Sequence, residues 1–375
     1  MRKKNIIVVF LVALIIYVCF GNRILVMIKE NGIYRSRAFD IAKNIGQGIN
    51  IGNALESYTG YTYEDITDYE TAWYNPVITQ ELFILIRGAG FDSVRLPVTW
   101  DRHLNEDGTI DSEWLNRVKQ VIDYAYSQEL YVIINVHHDE WYSTEYSNLQ
   151  NVLTMTESIW SQIATYFKEY DEHLIFEGFN EPRMMGYSSD IEYGNGTDEA
   201  NDVINKMNTK FIETVRKTGG NNKDRCLMIA AYCAGCDISV LESLELPQDS
   251  NLIISCHCYE PYEFCQNYYD LAEWSADEEE NTRSLDYKLY CLYEYSNQNN
   301  IPVVITEFGA VDKNNDVARE AYCQYFVDKV QDYGISYIWW DNNCFEDTTG
   351  LYGIIDRAKI EIRFKNIVDI LTKEN

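Results

Sequence analysis

The sequence is short of positive charge and of proline. Lys and Arg total 31 against 59 Asp and Glu, so the net charge is −28 at pH 7. A field of that sign repels phosphate and excludes nucleic acid or an anionic membrane surface as the main partner. Only 6 prolines occur among 375 residues, and no Pro/Ser-rich linker, repeat or low-complexity block divides the chain after Arg37. We therefore expect residues 37–375 to form a single domain.

The cysteines lack the pattern of a disulfide scaffold. Of the 10 cysteines, Cys19 lies in an apolar run near the amino end, which leaves nine without regular spacing. An odd, irregular set argues against a disulfide framework. Cys233, Cys236, Cys256 and Cys258 do have a spacing that mimics a four-thiolate zinc site. Because alternate residues of a strand face opposite sides, we expect the last two to be buried packing thiols instead.

Only one long apolar run is present, and it lies at the amino end. Basic residues at positions 2–4 precede an uninterrupted apolar stretch at 6–20, which is the pattern of an export signal. A transmembrane helix usually needs about 20 apolar residues, but no small-x-small cleavage pattern follows the run, so an uncleaved membrane tether through 6–20 stays open. We expect residues 1–30 to be a signal peptide or anchor, and the protein to be secreted or attached to the cell surface.

Short apolar, β-rich runs alternate with helical patterns along the rest of the chain. The eight runs are residues 45–50, 93–96, 131–135, 174–179, 226–230, 252–255, 302–306 and 336–340. The helical patterns cover residues 113–128, 155–170, 198–218, 285–298 and 316–331, with apolar residues at steps of three and four. This alternation predicts an α/β fold, a (β/α)8 TIM barrel. A doubly wound open sheet is the alternative, but no G-x-G-x-x-G follows the first strand.

Polar residues concentrate where these predicted strands end. They are Arg95, His137, His138, Asn180, Glu181, His257, Tyr259, Glu307 and Trp340. In a barrel of parallel strands the carboxyl ends form one mouth, where the active site is built. Glu181, in Asn-Glu-Pro, and Glu307, in Glu-Phe-Gly, end the fourth and seventh runs. Glycoside hydrolysis needs two such groups, one to protonate the leaving oxygen and one on the opposite face of the sugar.

Seven motifs in this order resemble the family 5 glycoside hydrolases, and most closely their subgroup 4 of endo-β-1,4-glucanases and xyloglucanases. The motifs are residues 48–53, 94–100, 135–139, 176–183, 257–259, 305–309 and 339–341. The resemblance extends from Gly46 to about Leu371. It implies a retaining, endo-acting hydrolase of β-1,4-glucan (cellulose-type, mixed-linkage glucan or xyloglucan) that needs neither a metal nor an organic cofactor and acts as a monomer on a polysaccharide or oligosaccharide.

The resemblance also implies roles for the catalytic pair and its neighbours. Glu181 resembles the general acid/base and Glu307 the nucleophile, while Asn180 resembles the donor to the substrate 2-hydroxyl. Arg95 and Tyr259 look placed to hydrogen-bond Glu307. A guanidinium keeps a carboxylate ionised, so we expect a low pKa for Glu307 and, through the repulsion between the two carboxylates, a raised pKa for Glu181.

Further residues resemble parts of a sugar-binding pocket. His257 and one of His137 and His138 are similar to the family's pocket histidines, and Asn53 ends the first motif. Trp340 resembles the platform under the sugar that precedes the scissile bond. These residues are expected to bind substrate.

Three alternatives remain beside this interpretation. A β-mannanase or xylanase would use the same scaffold, and a non-catalytic polysaccharide-binding barrel would keep the fold. The sequence from His137 to Glu140 also offers metal-ligand types, but adjacent strand residues face opposite sides, so we expect no shared ion. Two departures from the subgroup concern substrate preference: Tyr74 stands where Gly is usual, and the loop at residues 184–196 lacks the Trp that is often found there, for which Tyr193 is a candidate replacement.

Overall fold

The eight predicted strands form a closed parallel barrel in the computed structural model of the chain, which describes residues 36–346 and 350–373. The strands are β1 (Gln47–Asn50), β2 (Ser93–Leu96), β3 (Tyr131–Asn135), β4 (Leu174–Glu177), β5 (Leu227–Ala230), β6 (Leu252–His257), β7 (Val303–Phe308) and β8 (Ser336–Trp339). Each pairs in parallel with its sequence neighbours, and β8 closes onto β1. The (β/α)8 prediction is confirmed, and the open-sheet alternative is wrong.

Helices surround the barrel and occupy the segments between strands. They are α1 (Arg37–Ile45), α2 (Gln80–Gly88), α3 (Ser112–Tyr126), α4 (Leu149–Tyr166), α5 (Ser189–Glu192), α6 (Asp198–Lys217), α7 (Ile238–Leu241), α8 (Tyr262–Cys265), α9 (Glu279–Asn299), α10 (Asp316–Tyr333) and α11 (Lys365–Leu371). A short antiparallel pair, β9 (Ile355–Asp356) and β10 (Glu361–Ile362), follows β8. The predicted export segment, residues 1–30, lies outside the described residues. None of the described helices has the length and apolar character needed to cross a bilayer.

The barrel interior changes from apolar to polar along the strands. Its apolar part is a buried cluster that includes Ile133, Ile175, Ile253 and Ile338, and the buried face of α1 belongs to the same cluster. Residues that alternate with these, such as Val132 and Ile134, belong to the larger cluster that packs against the outer helices. Since strand side chains alternate with a period of two, residues two positions beyond the apolar ones also point inward.

That parity places a polar layer above the apolar one, at the carboxyl ends of the strands. The layer consists of Asn50, Arg95, Asn135, Glu177, Ser255 and Thr306, all fully buried. The last residues of β6 and β7 shift register, between Cys256 and His257 and between Ile305 and Phe308. The first of these shifts, in the pairing of β6 with β7, brings His257 opposite Glu307. The sequence thus builds a charged, hydrogen-bonded base directly beneath the barrel mouth.

Tyr74 has a strained backbone in the loop between β1 and α2. Its φ of 66° lies in the left-handed region, although the residue has a Cβ and its side chain is 98% exposed. The residues beside it are fixed, because Trp73 Nε1 donates to the Tyr58 carbonyl at 3.0 Å and Asn75 Nδ2 to the Asn342 carbonyl at 3.2 Å. Anchored neighbours therefore hold Tyr74 in this conformation.

We expect Tyr74→Gly to stabilise the protein. Glycine relieves about 1–2 kcal/mol of left-handed strain, and the exposed ring contributes little packing, while the added flexibility of the unfolded chain offsets part of the gain. The net increase in the free energy of unfolding is about 1 kcal/mol, measured by urea denaturation. Tyr61→Gly is the matched control, since Tyr61 is 79% exposed but has no positive φ. If Tyr74→Gly lost as much stability as Tyr61→Gly, or more, the claim that the Tyr74 backbone is strained would be wrong.

Candidate active site

Glu181 and Glu307 lie close together at the barrel mouth, although they are far apart in sequence. Glu307 is the fifth residue of β7, and Glu181 follows the end of β4 by four residues. One carboxylate oxygen of each lies within 4.8 Å of the other, with His257 in the same group. Retaining glycosidases have carboxyl groups about 5–5.5 Å apart and inverting ones roughly 6.5–9.5 Å. The nearest oxygens of Glu181 and Glu307 are thus closer together than the carboxyl groups of inverting enzymes, and the pair is compatible with the retaining geometry.

Arg95 holds Glu307 from below. Its Nη1 donates to Glu307 Oε1 at 2.6 Å, its Nε to Glu177 Oε2 at 2.7 Å, and its Nη2 to Asn180 Oδ1 at 2.6 Å. Burial alone would lower the pKa of Arg95, but the charges of Glu177 and Glu307 raise it, so the guanidinium is permanently charged. The Tyr259 hydroxyl donates to the second oxygen of Glu307 at 3.0 Å. Donors on both oxygens orient this carboxylate.

Glu177 is an important residue to which the sequence analysis gave no role. It is fully buried, and besides Arg95 it accepts from Asn135 Nδ2 at 2.9 Å and from Ser255 Oγ at 2.5 Å. A signal for it exists: Glu177 ends an apolar strand at an inward position, where a buried charge needs an opposite charge. Arg95 also points into the barrel, from β2, and supplies that opposite charge. Glu177 therefore fixes the guanidinium that in turn fixes Glu307 and Asn180.

We expect Glu177→Gln to destabilise the protein and to lower its activity together. Removing one member of a buried ion pair leaves a poorly compensated charge, which costs about 3 kcal/mol, and Arg95 loses the anchor that aims it at Glu307. Urea denaturation and kcat measured on the folded fraction test both effects. Glu169→Gln, on the exposed surface, is the control. Stability within about 0.5 kcal/mol of the wild type would contradict the assigned role.

His257 lies between the two glutamates and changes the expected distribution of protons. Its Nδ1 is 2.9 Å from Glu181 Oε1 and 3.5 Å from Glu307 Oε2. Burial alone would lower the pKa of His257, but the charges of Glu307 and Glu181 and the hydrogen bond to Glu181 raise it. For Glu181, burial alone would raise the pKa, but the hydrogen bond and charge of His257, with the charge of Arg183, lower it to about 2.

The sequence-based expectation of a raised pKa for Glu181 is therefore wrong. It considered only the repulsion between Glu181 and Glu307, whereas in the structure a third group lies between them. His257 takes up the proton and neutralises part of both negative charges. The site still holds one proton between Glu181 and His257, across a hydrogen bond of 2.9 Å.

The remaining sequence-predicted residues lie on the loops after β1, β3 and β8. The rings of His137 and Trp340 are parallel, with centroids 5.9 Å apart and an interplanar angle of 4°. A Cβ on Gly52 would lie 2.8 Å from the Trp340 ring, so only glycine permits this approach. Asn53 follows it, and its Nδ2 donates to the Cys344 sulfur at 3.6 Å. These contacts shape the region next to the strand that carries Glu307.

His137 and His138 do not lie on opposite faces, so that part of the argument against a metal is wrong. Both residues follow the end of β3, and their ring centroids are 4.5 Å apart. His137 Nδ1 is 3.1 Å from Asn135 Nδ2, and the His138 ring packs on Trp73 with centroids 5.4 Å apart. Burial lowers the pKa of His138 to about 4 and that of His137 well below its usual value, so both are neutral.

Within residues 36–346 and 350–373, only one group of three side chains has ligand atoms close enough for a metal, namely Glu181, His257 and Glu307. His257 Nδ1 already hydrogen-bonds Glu181, so a proton occupies the position that a cation would need. We therefore assign no metal ligands. Cys233, Cys236, Cys256 and Cys258 form no such group in the described chain.

The cysteines near the site behave as packing thiols. Free thiols are present at Cys233, Cys236, Cys256, Cys258, Cys265, Cys291 and Cys323, and all but Cys233 are buried. Cys256 and Cys258 belong to the main apolar cluster, as expected from strand parity. Burial raises the pKa of Cys256 well above its usual value, so this thiol stays protonated and unreactive.

A polar cavity of about 720 Å³ opens beside Glu181. The residues that line it include Tyr193, Cys233, Asp237, Glu260, Tyr262 and Lys288. Lys288 Nζ lies 2.7 Å from Asp237 Oδ2 and 3.2 Å from Glu260 Oε1, which joins the loops after β5 and β6 to helix α9. Trp340 and His137 do not line this cavity. The mouth therefore contains a cavity next to Glu181 and a separate aromatic region next to Glu307.

Comparison with known proteins agrees with this geometry. The family model described as cellulase (glycosyl hydrolase family 5) matches residues 56–346. The chain belongs to this family. It is 37% identical over 340 residues to Endoglucanase A of Clostridium longisporum, covering 90% of this chain but 65% of that protein, so the chain spans less than two thirds of that relative's length.

Comparison with solved structures identifies the subgroup of family 5 to which the chain belongs. A GH5-4 broad specificity endoglucanase from C. longisporum superposes with a TM-score of 0.85 at 37% identity, covering 90% of this chain and 97% of that one. A xyloglucan-specific endo-β-1,4-glucanase from a metagenomic library, solved with cellotriose, gives a TM-score of 0.84 at 36% identity, covering 90% and 98%. The chain thus belongs to subgroup 4 of family 5, as the sequence motifs indicated.

Proposed function

We propose that the protein is a retaining endo-β-1,4-glucanase that works by double displacement. Glu307 is the nucleophile and Glu181 the general acid/base. The observation that carries the proposal is the carboxylate pair itself, with oxygens within 4.8 Å and with Glu307 held by the fully buried Arg95. Asn180, held by the same Arg95, donates to the sugar 2-hydroxyl, a contact that strengthens in the transition state.

The first step forms a covalent glycosyl-enzyme. A Glu307 oxygen attacks the anomeric carbon, the bond from that carbon to the glycosidic oxygen breaks, and Glu181 gives its proton to the departing oxygen. The second step reverses the roles: Glu181 takes a proton from water, the water oxygen attacks the anomeric carbon, and Glu307 leaves as a carboxylate. Two inversions give net retention of configuration.

His257 supplies the proton that the first step needs. Proton transfer from its Nδ1 to Glu181 Oε1, which are 2.9 Å apart, creates a protonated acid beside an ionised nucleophile without any proton from solvent. Arg95 and Tyr259 remain hydrogen-bonded to Glu307 throughout and hold its carboxylate in position. His257 is therefore the proton store of the resting site, and Glu181 delivers the proton to the substrate.

We expect a bell-shaped pH dependence of kcat/KM with an alkaline limb above pH ~6.5, the ordinary imidazole pKa. The active form carries one proton between Glu181 and His257, and the raised pKa of His257 means that this proton is lost only above that value. Below the acid limb a second proton enters the site, and the arrangement of one proton shared by Glu181 and His257 is lost. Rates measured between pH 3 and 10 test this. An alkaline limb below pH ~6 would contradict the proton store.

We propose that the substrate is a linear or branched β-1,4-glucan. The departing part of the chain occupies the cavity beside Glu181, and the part that becomes attached to Glu307 lies over Trp340. Cleavage within a glucan chain requires binding regions on both sides of the scissile glycosidic bond, and these two regions meet that requirement. The endoglucanase and xyloglucanase relatives support this substrate class.

Incubating the purified protein with cellulose, mixed-linkage glucan, xyloglucan, xylan and mannan, followed by sizing of the products, tests the proposal. Endo action on glucans releases a ladder of oligosaccharides from the first time points. Preferred cleavage of mannan or xylan would favour that alternative, and tight binding without any product would indicate a binding protein.

We also propose that the protein acts outside the cytoplasm as a monomer, either released or tethered through residues 6–20. The support is the basic and apolar amino-terminal pattern. Fractionation of cells that express the full chain separates the outcomes. Recovery in the culture fluid indicates cleavage, recovery with membranes indicates a tether, and recovery in the cytoplasm contradicts export.

A further inference from the structure

We propose that Arg183 is a positioning residue for Glu181, and that its guanidinium, shared between Glu181 and Glu192, sets the charge that the acid/base experiences. The inference rests on the proposed function, because it assigns the control of a proton to a site where Glu181 is the acid. Glu192 was given no role above, and Arg183 appeared only as one of the charges that lower the pKa of Glu181.

Arg183 contacts both glutamates at once. Its Nη1 donates to the Glu181 carbonyl at 3.0 Å and lies 3.5 Å from Glu181 Oε2. Its Nε donates to Glu192 Oε1 at 3.1 Å. The side chains of Arg183 and Glu192 are 16% and 15% exposed, so bulk water screens their charges only partly. One guanidinium therefore lies between a catalytic carboxylate and a second, non-catalytic one.

The same guanidinium connects the acid to the cavity beside it. The Arg183 guanidinium carbon lies 5.1 Å from the centre of the Tyr193 ring, a cation–π distance. Tyr193 lines the cavity and is 58% exposed. The other oxygen of Glu192 accepts from the Gly186 amide at 3.0 Å, which fixes the loop that carries both residues. Arg183 is thus held in place by the segment that contacts the departing sugar.

Several other charged and titratable groups face Glu181, and none of them is substituted in the variants below. They are His138 after β3, Tyr142, Tyr193, Cys233 after β5, His257 and Tyr259 at the end of β6, and Glu307 in β7. Glu181 and His257 share one proton, so any added positive charge nearby makes that proton easier to lose. Arg183 adds such a charge, and Glu192 reduces it.

Arg183→Met is expected to move the alkaline limb of kcat/KM to higher pH by about one unit, the lower end of what a close charge supplies. Glu192→Gln is expected to move it the other way, by about half as much, because Arg183 then acts on Glu181 without a competing carboxylate. Arg183→Lys keeps the charge and is expected to leave the limb within about 0.3 unit of wild type.

Opposite displacements in Arg183→Met and Glu192→Gln establish the proposal, since a merely structural role for the pair would move both variants alike. Unchanged limbs in both variants, or displacements of the same sign, would overturn it. If Arg183→Met does not fold, the displacement in Glu192→Gln and its sign decide alone. The proposed function is tested separately by the wild type, because absence of glucan cleavage there would remove that proposal before any variant is compared.

Discussion

Glu307→Ala is expected to reduce hydrolysis of a β-1,4-glucan by about five orders of magnitude, the scale seen when a covalent nucleophile is removed. Arg95 and Tyr259 then hold an empty position instead of an ionised oxygen, so no glycosyl-enzyme forms. Initial rates of reducing-end release measure the loss. Thermal melting verifies that the variant is folded, and Glu307→Gln, which keeps the shape, is expected to be equally inactive.

Small anions should restore part of the activity of Glu307→Ala and reveal the direction of attack. Azide fits the space left by the carboxylate and attacks the anomeric carbon of an activated aryl β-cellobioside directly. One displacement gives an α-glycosyl azide, which NMR identifies. Glu213→Ala, at an exposed position on α6, is the control and should keep wild-type rates. Wild-type turnover by Glu307→Ala would remove the nucleophile assignment.

Glu181→Ala is expected to show a different pattern, because it removes the proton donor and leaves the nucleophile in place. Hydrolysis of glucan falls by about three orders of magnitude, within the usual contribution of general acid–base catalysis. Cleavage of a dinitrophenyl β-cellobioside falls much less in its first step, since this leaving group departs without a proton.

Azide again provides the diagnostic product for Glu181→Ala. The glycosyl-enzyme accumulates because no base activates water, and azide attacks it from the face that Glu181 occupied. Two displacements give a β-glycosyl azide, the opposite anomer from that of Glu307→Ala. The same azide anomer from both variants would contradict the separate roles of the two glutamates.

The fold could be predicted because the strand signal is strong in a parallel barrel. Both faces of each strand are buried, so the predicted runs are short and mainly apolar, and the bounds of runs 93–96 and 131–135 agree with β2 and β3. The sequence-predicted fourth strand extended to residue 179, whereas β4 ends at Glu177. Helix ends were less accurate: α4 begins at Leu149 rather than 155, since its first turns have little apolar periodicity.

The site could be predicted only as far as strand ends and motifs specify it. Glu181, Glu307, Arg95 and Tyr259 were expected at one mouth, and the structure brings them together. Their roles remain proposals. Glu177 could have been found from its position in the run, because alternation along the strand points its side chain into the barrel. Its partners on three other strands follow only from barrel closure and strand register.

The proton distribution could not be predicted, because it depends on distances between side chains. Burial alone would raise the pKa of Glu181, but the 2.9 Å hydrogen bond and charge of His257, with the charge of Arg183, lower it. Sequence spacing placed His257 near the acid but gave no indication that it lies between both carboxylates. The contact of Arg183 with Glu192, nine residues later, depends in the same way on a loop conformation.

The most direct measurement is the configuration of the first product. The purified protein acts on a cello- or xyloglucan oligosaccharide in an NMR tube, and the anomeric protons are followed before mutarotation mixes the two forms. Appearance of the β-anomer first is the result required by attack of Glu307 on the sugar and by its later release. Appearance of the α-anomer first would mean that water attacks the sugar directly, and the assignment of Glu307 as a covalent nucleophile would be wrong.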